Sequence, residues 1–342
     1  MKKRSSDADR LRAIVEGFSR VSVTVLGDLV ADEFVFGEIS RVSREAPVLI
    51  LRHRERTVVP GGGANAVNNL AHLGVSVLPV GIIGNDEPGR LLLRAFRHKG
   101  IPVSGILKDK NHATVTKTRI LAGMAHTWRQ QVVRVDREPE EQPGGHLVRE
   151  LALAAREYLR ASDAMLISDY GYGAATPQIL NLARQKGPAI PVVLDSRHRM
   201  MQFSGVTAAT PNESEVEEAL GVTIGQDWKQ LSAAGEAIMS RMKLQSLVIT
   251  RGRDGMVAFS RKHRQVDIPI FGSDQVADVT GAGDTVIATY TAALAAGAEP
   301  QDAAQLANYA GGIVVMKRGT ATVSQQELLL ALEKTPPQTR PH

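Results

Sequence analysis

Asp278-Val279-Thr280-Gly281-Ala282-Gly283-Asp284-Thr285, followed by an alanine-rich run to Gly297, is the stretch on which the fold and the chemistry turn. Two glycines flank one alanine, so no large side chain blocks a ligand approaching this backbone. From Thr285 the run is rich in Ala and Leu and ends on Gly297 and Pro300, which predicts a helix with its stop signals. A glycine-rich turn that opens a helix gathers free N–H groups and the positive end of the helix dipole at one point. Such a point suits an anion, and phosphate above all. Asp284 stands in the same place. A carboxylate would repel phosphate if binding were its only task, so Asp284 reads as the base that takes a proton from a hydroxyl attacking phosphorus. The competing explanation is a helix cap, a position Asp often fills.

Composition narrows the classes of function. At 342 residues the chain can bury a large core. Its net charge of +5 comes without a Lys/Arg block interleaved with aromatics, so nucleic acid is not an expected partner. Zero cysteines exclude disulfides, Cys-based zinc sites and a thiol nucleophile. Lys2, Lys3 and Arg4 precede no apolar stretch, and no window of about 18 apolar residues occurs. Neither a signal peptide nor a membrane span is expected, and the expected location is cytoplasmic. The Pro-rich end at 336–342 reads as a loose tail.

Residues 5–19 predict a short helix, and 21–26 a buried strand running into Gly27-Asp28. In an open α/β sheet, ligands sit beyond the carboxyl ends of the strands, which makes Asp28 and Asp32 candidates for substrate contact. Turn chemistry accounts for Asp28 equally well. Pro60-Gly61-Gly62-Gly63-Ala64-Asn65 then opens a helix over 66–73. Its glycines would let backbone lie against a flat ligand, and Asn65 offers both donor and acceptor, so Gly62, Gly63 and Asn65 join the substrate candidates. The spacing is not G-x-G-x-x-G, and no Walker A motif is present.

Over 34–57 and again over 112–136 the pattern changes. Strand-like runs at 47–51, 114–120 and 132–135 are crowded by Arg41, Arg44, Arg52, Arg54, Arg56, Lys117, Arg119, Arg129 and Arg134. They predict a small β-sheet lid projecting from the main domain. Its cations, with Arg41, Lys117, Arg119 and Arg134 as candidates, would reach an acidic ligand or else protect edge strands.

From residue 144 helix and strand alternate. Helical runs fall near 145–160, 176–186, 212–220, 227–242, 302–316 and 325–333, with strands at 164–168, 191–194, 206–209, Ser246–Thr250 and 256–259. The runs 164–168 and 191–194 are nearly all apolar, as parallel strands buried on both faces should be. The fold class is therefore α/β, a doubly wound, mostly parallel sheet with helices on both faces, forming one domain over 1–335. Asp169, Asp195, Asn212 with Glu215, and Thr250-Arg251-Gly252 follow successive strands. Asn212 and Glu215 have capping-box spacing; as cleft groups they are candidates to hold Mg²⁺, mainly through water.

Taken together, Gly61-Gly62-Gly63-Ala64-Asn65, Asn212-Glu213-Ser214-Glu215 and the 278–285 octamer resemble the ribokinase-like (PfkB-type) sugar kinases, over about 23–324. The resemblance implies ATP as donor, Mg²⁺ as counter-ion, and K⁺ beside the anion loop as an optional activator. It implies Asp284 as base, with the amides of Gly281, Ala282 and Gly283 as anion hole. Asp32, Gly62 and Asn65 would hold sugar hydroxyls, and Glu215 would be linked to Mg²⁺. Thr250, Gly252 and Asn308 would line the nucleotide cleft beside Asp278 and Thr280. A homodimer through the β lid is also implied. Within the family, Gly27-Asp28 with Asp32, the 39–48 segment, Thr116-Lys117-Thr118-Arg119, Arg134-Val135-Asp136, Ser168-Asp169-Tyr170 and the 319–324 segment are similar to kinases of D-glycero-β-D-manno-heptose 7-phosphate. Those enzymes phosphorylate the anomeric hydroxyl on the route to the ADP-heptose of lipopolysaccharide. A phosphorylated sugar needs cations in its pocket, which agrees with the basic lid segments. Ser196-Arg197 stands where such relatives carry Pro-Lys. Many of them also carry a fused nucleotidyltransferase, a step expected to fall to another protein here.

Two alternatives remain beside this expectation. One is a kinase for an unphosphorylated sugar or nucleoside, such as ribose, fructose or adenosine. The other is a catalytically silent sugar sensor on the same fold, against which the presence of Asp284 counts.

Overall fold

The computed structural model describes residues 7–123, 130–185, 187, 189–272, 278–317 and 319–334. Arg129 and the 336–342 tail lie outside the described residues. The strands in chain order are β1 (Ser22–Gly27), β2 (Leu29–Val42), β3 (Leu49–Gly62), β4 (Ser76–Gly84), β5 (Ile106–Asp109), β6 (Val115–Gly123) and β7 (Gln130–Arg137). They continue with β8 (Ala164–Asp169), β9 (Val192–Ser196), β10 (Ala208–Ala209), β11 (Ser246–Thr250), β12 (Met256–Ser260) and β13 (Val266–Ile268). Among the described residues, nine of them form one sheet in the order β13-β12-β11-β10-β9-β8-β1-β4-β5. From β11 through β5 the pairing is parallel; β12 runs against it, and β13, antiparallel to β12, returns to the common direction. The expected doubly wound sheet is therefore present.

Alternation along β8 shows why both faces are covered. Ala164 and Leu166 enter the apolar cluster on one face, and Met165 and Ile167 enter the cluster on the other, all of them buried. On the first face the helix Ala282–Ala295 is buried all round from Asp284 to Ala293, wedged between the sheet and the helix Pro300–Val315. Its alanines follow from that position, because a helix with neighbours on every side has room only for short side chains. Its one aromatic residue, Tyr290, is fully buried, and its hydroxyl pairs with Ser246 Oγ at 2.8 Å.

The second sheet is a lid in the order β3-β2-β6-β7, with β2 parallel to β6 and the outer pairs antiparallel. It is larger than the 34–57 and 112–136 segments suggested. β2 starts two residues after β1 ends, and β3 runs to Gly62, directly into the helix Gly63–His72. The β2–β3 hairpin of the lid is thus inserted between one core strand and its crossover helix. The 206–209 strand shortens to Ala208–Ala209, and β5 and β13 were not anticipated, being short edge strands with little periodic signal.

The three glycines at 61–63 serve this junction. A Cβ on Gly61 would collide with the Asp32 carboxylate, and one on Gly63 would press on the Asp28 backbone oxygen at 2.9 Å. Gly62 has φ +52, and a Cβ there would sit 2.8 Å from Val30 Cγ2. Protein, rather than a flat ligand, fills the space the missing side chains leave. Gly62→Ala should destabilise the protein by about 2–4 kcal/mol, combining left-handed strain with overpacking. Gly100→Ala, at φ +70 with nothing within 4 Å, should cost only the conformational part. Equal urea midpoints for the two variants would refute this account of the junction.

Candidate active site

Because β1, β8, β9, β10 and β11 are parallel, their carboxyl ends share one edge, and the helix Ala282–Ala295 begins there. The turn before the helix closes through Gly281 at φ +78, where a Cβ would lie 2.6 Å from Asn65 Nδ2. At Gly283 a Cβ would meet no protein atom within 4 Å, so that side of the loop is open to an incoming group. Asp278 braces the loop, with Oδ1 accepting from Thr280 N at 2.9 Å and Oδ2 from Gly319 N at 3.0 Å. Burial would raise the Asp278 carboxyl, but these bonds hold it below its ordinary value. Asp278 and Thr280 thus shape the anion loop from behind.

Asp284 is 4% exposed, and both of its oxygens are engaged. Asn65 Nδ2 donates to Oδ2 and Tyr170 OH donates to Oδ1, each at 2.8 Å. The Asn65 amide cannot turn over without loss, because its Oδ1 accepts from Asn69 Nδ2 at 3.1 Å, while Asn69 Oδ1 accepts from the Thr285 hydroxyl at 3.0 Å. All three side chains are buried. This chain of bonds orients the donor that faces Asp284. Burial raises the Asp284 carboxyl to about 6, and the nearby Asp32 charge pushes the same way; the bonds from Asn65 and Tyr170 and the Arg197 charge pull it down. A carboxylate poised near neutrality at the mouth of a helix N-terminus can take a proton from a hydroxyl while the amides hold an anion.

Several candidates lie elsewhere than expected. Asp28 is buried and faces a loop, accepting from Tyr170 N at 2.8 Å, Tyr172 N at 3.0 Å and Ala174 N at 2.8 Å. Burial raises its carboxyl to about 6 against those three bonds. It sets the loop that carries Tyr170, so its substrate role is replaced by a positioning one. Asp169 is likewise consumed inside the protein. It takes both Nε and Nη2 of Arg199, with Ser196 Oγ at 2.7 Å and Gly171 N at 3.0 Å. Arg41 is exposed, nine residues beyond Asp32 on β2, about 30 Å along the strand at ~3.3 Å per residue. That distance removes it from the pocket of its own chain.

Other candidates converge. Lys117 pairs in register with Asp32, and Arg119 with Phe34, on neighbouring strands of the lid. Arg119 Nη1 reaches Asp32 Oδ1 at 2.6 Å, and Lys117 Nζ reaches Tyr172 OH at 3.0 Å. Arg134 is half-exposed and pairs with Asp136 at 2.9 Å. Thr250, Gly252 and Asn308 line one mostly apolar cleft of about 200 Å³ together with Ala282, Gly283 and Val286. A flat base could lie there with its phosphates toward the anion loop.

The capping explanation for Asn212 is correct. Asn212 Oδ1 accepts from Glu215 N and Glu215 Oε2 from Asn212 N, both at 2.9 Å, a complete capping box. Glu215 keeps its second oxygen, and its neighbour is Asp195, which the sequence reading noted but did not place in the site. Burial raises the Asp195 carboxyl well above its ordinary value, with the charges of Glu215 and Asp284 adding to it. Burial raises Glu215 as well. Two crowded carboxylates with oxygen-only donors fit a Mg²⁺ that also keeps waters and phosphate oxygens. Among the described residues no group of three or more His, Cys, Asp or Glu could cage a metal alone. Tyr170, Asp195 and Arg197 were findable as polar residues at the carboxyl ends of β8 and β9, and Asn69 as the i+4 neighbour of Asn65 on one helix.

A family description, pfkB family carbohydrate kinase, matches residues 23–327. The bifunctional protein HldE of Geobacter metallireducens is 41% identical over 312 residues, 90% of this chain and 62% of that protein. The HldE of Geobacter sulfurreducens is 40% identical over 319 residues, 91% of this chain and 63% of that one. The chain therefore spans less than two thirds of the length of these relatives. Phosphofructokinase-2 from Escherichia coli, solved with substrates and products, is similar with a TM-score of 0.74 at 18% identity, covering 92% of this chain and 99% of that one. Likeness at that identity bears on the fold alone.

If Asp284 is the base, turnover should rise with pH through about 6 as the carboxyl ionises. Tyr170→Phe removes a donor that favours the ionised form, so the acid limb of the rate profile should move up by about 0.5–1 pH unit, the equivalent of one neutral hydrogen bond. An unmoved limb would separate Tyr170 from the base.

Proposed function

The chain belongs to the pfkB family of carbohydrate kinases, and on that premise we propose that it transfers the γ-phosphate of ATP to the anomeric hydroxyl of D-glycero-β-D-manno-heptose 7-phosphate. The observation that carries the transfer is Asp284, buried at the N-terminus of a helix with both oxygens held and its carboxyl at about 6. The sugar would lie between the strand ends and the lid, where Asn65 and Asp32 offer polar contacts. The acceptor hydroxyl gives its proton to Asp284 as its oxygen bonds to the γ-phosphorus. The bond to the β-phosphate oxygen breaks, and its electron pair leaves with ADP. The amides of Gly281, Ala282 and Gly283 receive the negative charge that builds on the transferred group. Mg²⁺, held by Asp195 and Glu215 through water, would supply charge neutralisation for the phosphates.

The lid supports a substrate that already carries phosphate. Lys117 and Arg119 side chains are 12% and 14% exposed, and both are drawn to the same end of the lid as Asp32. Two cations so little exposed, set beside Asp32, favour an anionic guest. Beyond one chain, the exposed Val42, Val48, Leu49, Val132, Val133 and Val135 all lie on the lid, consistent with a homodimer through this sheet. Among the described residues no helix is long and apolar enough to cross a membrane. We place the enzyme in the cytoplasm, where ATP is available.

An ATP-consumption screen across heptose 7-phosphate, ribose, fructose, fructose phosphates and nucleosides should give its highest kcat/KM with heptose 7-phosphate. Substituting Na⁺ for K⁺ in the same assay checks activation by K⁺. Asp284→Asn should keep the fold and ATP binding while turnover falls by a factor of roughly 10² or more. Higher kcat/KM with an unphosphorylated sugar, or near-normal turnover in the Asn variant, would sink the substrate and the base respectively.

Lys117→Ala should raise KM for the sugar phosphate about tenfold or more, as loss of a charge-assisted contact does, and leave KM for ATP within about twofold. Equal changes in both constants would remove Lys117 from the sugar pocket.

A further inference from the structure

The cations around the cleft differ in whether protein groups already use their donors. Arg199 is bound by Asp169 through two nitrogens, Arg119 by Asp32, and Arg251 by Glu213 at 2.8 Å. Arg197 is different. Its guanidinium lies 4.5 Å from the centre of the Tyr170 ring, in a cation–π stack, and Tyr170 OH touches Asp284. Among the described residues Arg197 makes no salt bridge, although the carboxylates of Asp195, Asp284 and Glu215 are near enough to act on its charge. With Glu215 it lines a cavity of about 220 Å³.

Stacking on a ring fixes the plane of a guanidinium and leaves its edge, with the N–H donors, free for an acceptor outside the protein. Three carboxylates nearby would hold an arginine in place, yet its nitrogens are not committed to them. An acceptor rich in oxygen and negative charge, one aromatic ring away from the base, answers that geometry.

We propose that Arg197 is a catalytic residue of the phosphoryl transfer, donating from its edge to the transferring phosphoryl oxygens while Tyr170 holds both its plane and Asp284. The proposal rests on the kinase function proposed above. Arg197 forms and breaks no covalent bond. The acceptor proton goes to Asp284, the new O–P bond forms, and ADP leaves with the electron pair of the broken bond. Arg197 meets the charge that spreads over the equatorial oxygens during that exchange.

Arg197→Met keeps length and stacking mass but removes charge and donors. It should lower kcat by about 10²–10³-fold with KM for the sugar within about threefold, the pattern of an interaction made in the transition state. Arg197→Lys should recover only part of the loss, because a point charge cannot present a planar edge. A kcat for the Met variant within about threefold of wild type overturns the proposal. Binding supplies a readout independent of the acceptor. With Mg²⁺ present, the Met variant should bind ADP like wild type but bind ADP with aluminium fluoride, a mimic of the transferring phosphoryl group, at least about tenfold more weakly. Equal affinities for the fluoride complex overturn Arg197 itself. Absence of wild-type turnover with every sugar would instead overturn the functional proposal and leave the fluoride comparison to decide Arg197.

Discussion

Burying the Asp284 carboxylate beside the N–H groups that would receive phosphate makes two electrostatic demands at once. The carboxylate must be desolvated enough to be basic near neutral pH, yet it must remain ionisable. Burial meets the first demand by raising its carboxyl, and the bonds from Asn65 and Tyr170 meet the second. Each donor is in turn held by further partners, one of them local and the others far away in sequence. Asn69 and Thr285 fix the Asn65 amide, and the buried Asp28 fixes the loop that delivers Tyr170. Much of the architecture around the strand ends can be traced to the need to hold that one group.

The lid obeys the same constraint from the other side. Because its hairpin leaves from the end of β1 and returns into the helix that carries Asn65, the lid and the donor to Asp284 share a covalent junction at 61–63. The position of the lid is therefore tied to the backbone next to Asn65. Close packing at Gly61 and Gly63 leaves no room for a side chain at this junction. Glu33 bonds to Thr118 and Arg56 across three strands, and Asp86 ties the start of β6 and Arg137 to the main body.

What could be read directly was whatever depends on local rules. The α/β class, the parallel core strands, the helix after Asp284 and the presence of a lid follow from apolar runs, turn residues and propensity. Asp284, Asn65 and the anion loop were visible because glycine spacing and a misplaced carboxylate are local anomalies. The ambiguity at Asp28, Asp169, Asn212 and Arg41 has one cause. A polar residue after a strand can point into the cleft or back into the protein, and along a strand the direction and distance depend on what pairs with it.

Sequence alone thus determined the sheet, its helices and the glycine-rich turn that places Asp284 at a helix N-terminus, because each rests on contacts within a few residues or on a repeating period. Tertiary structure decided which polar residues have their hydrogen-bonding capacity filled. Arg199 is consumed by Asp169 and Asp28 by three backbone amides, whereas Arg197 stacks on Tyr170 with its donors uncommitted. The physical reason is that satisfaction of a polar group depends on partners brought together across the fold, and for Asp284 the decisive partners lie 219 and 114 residues away.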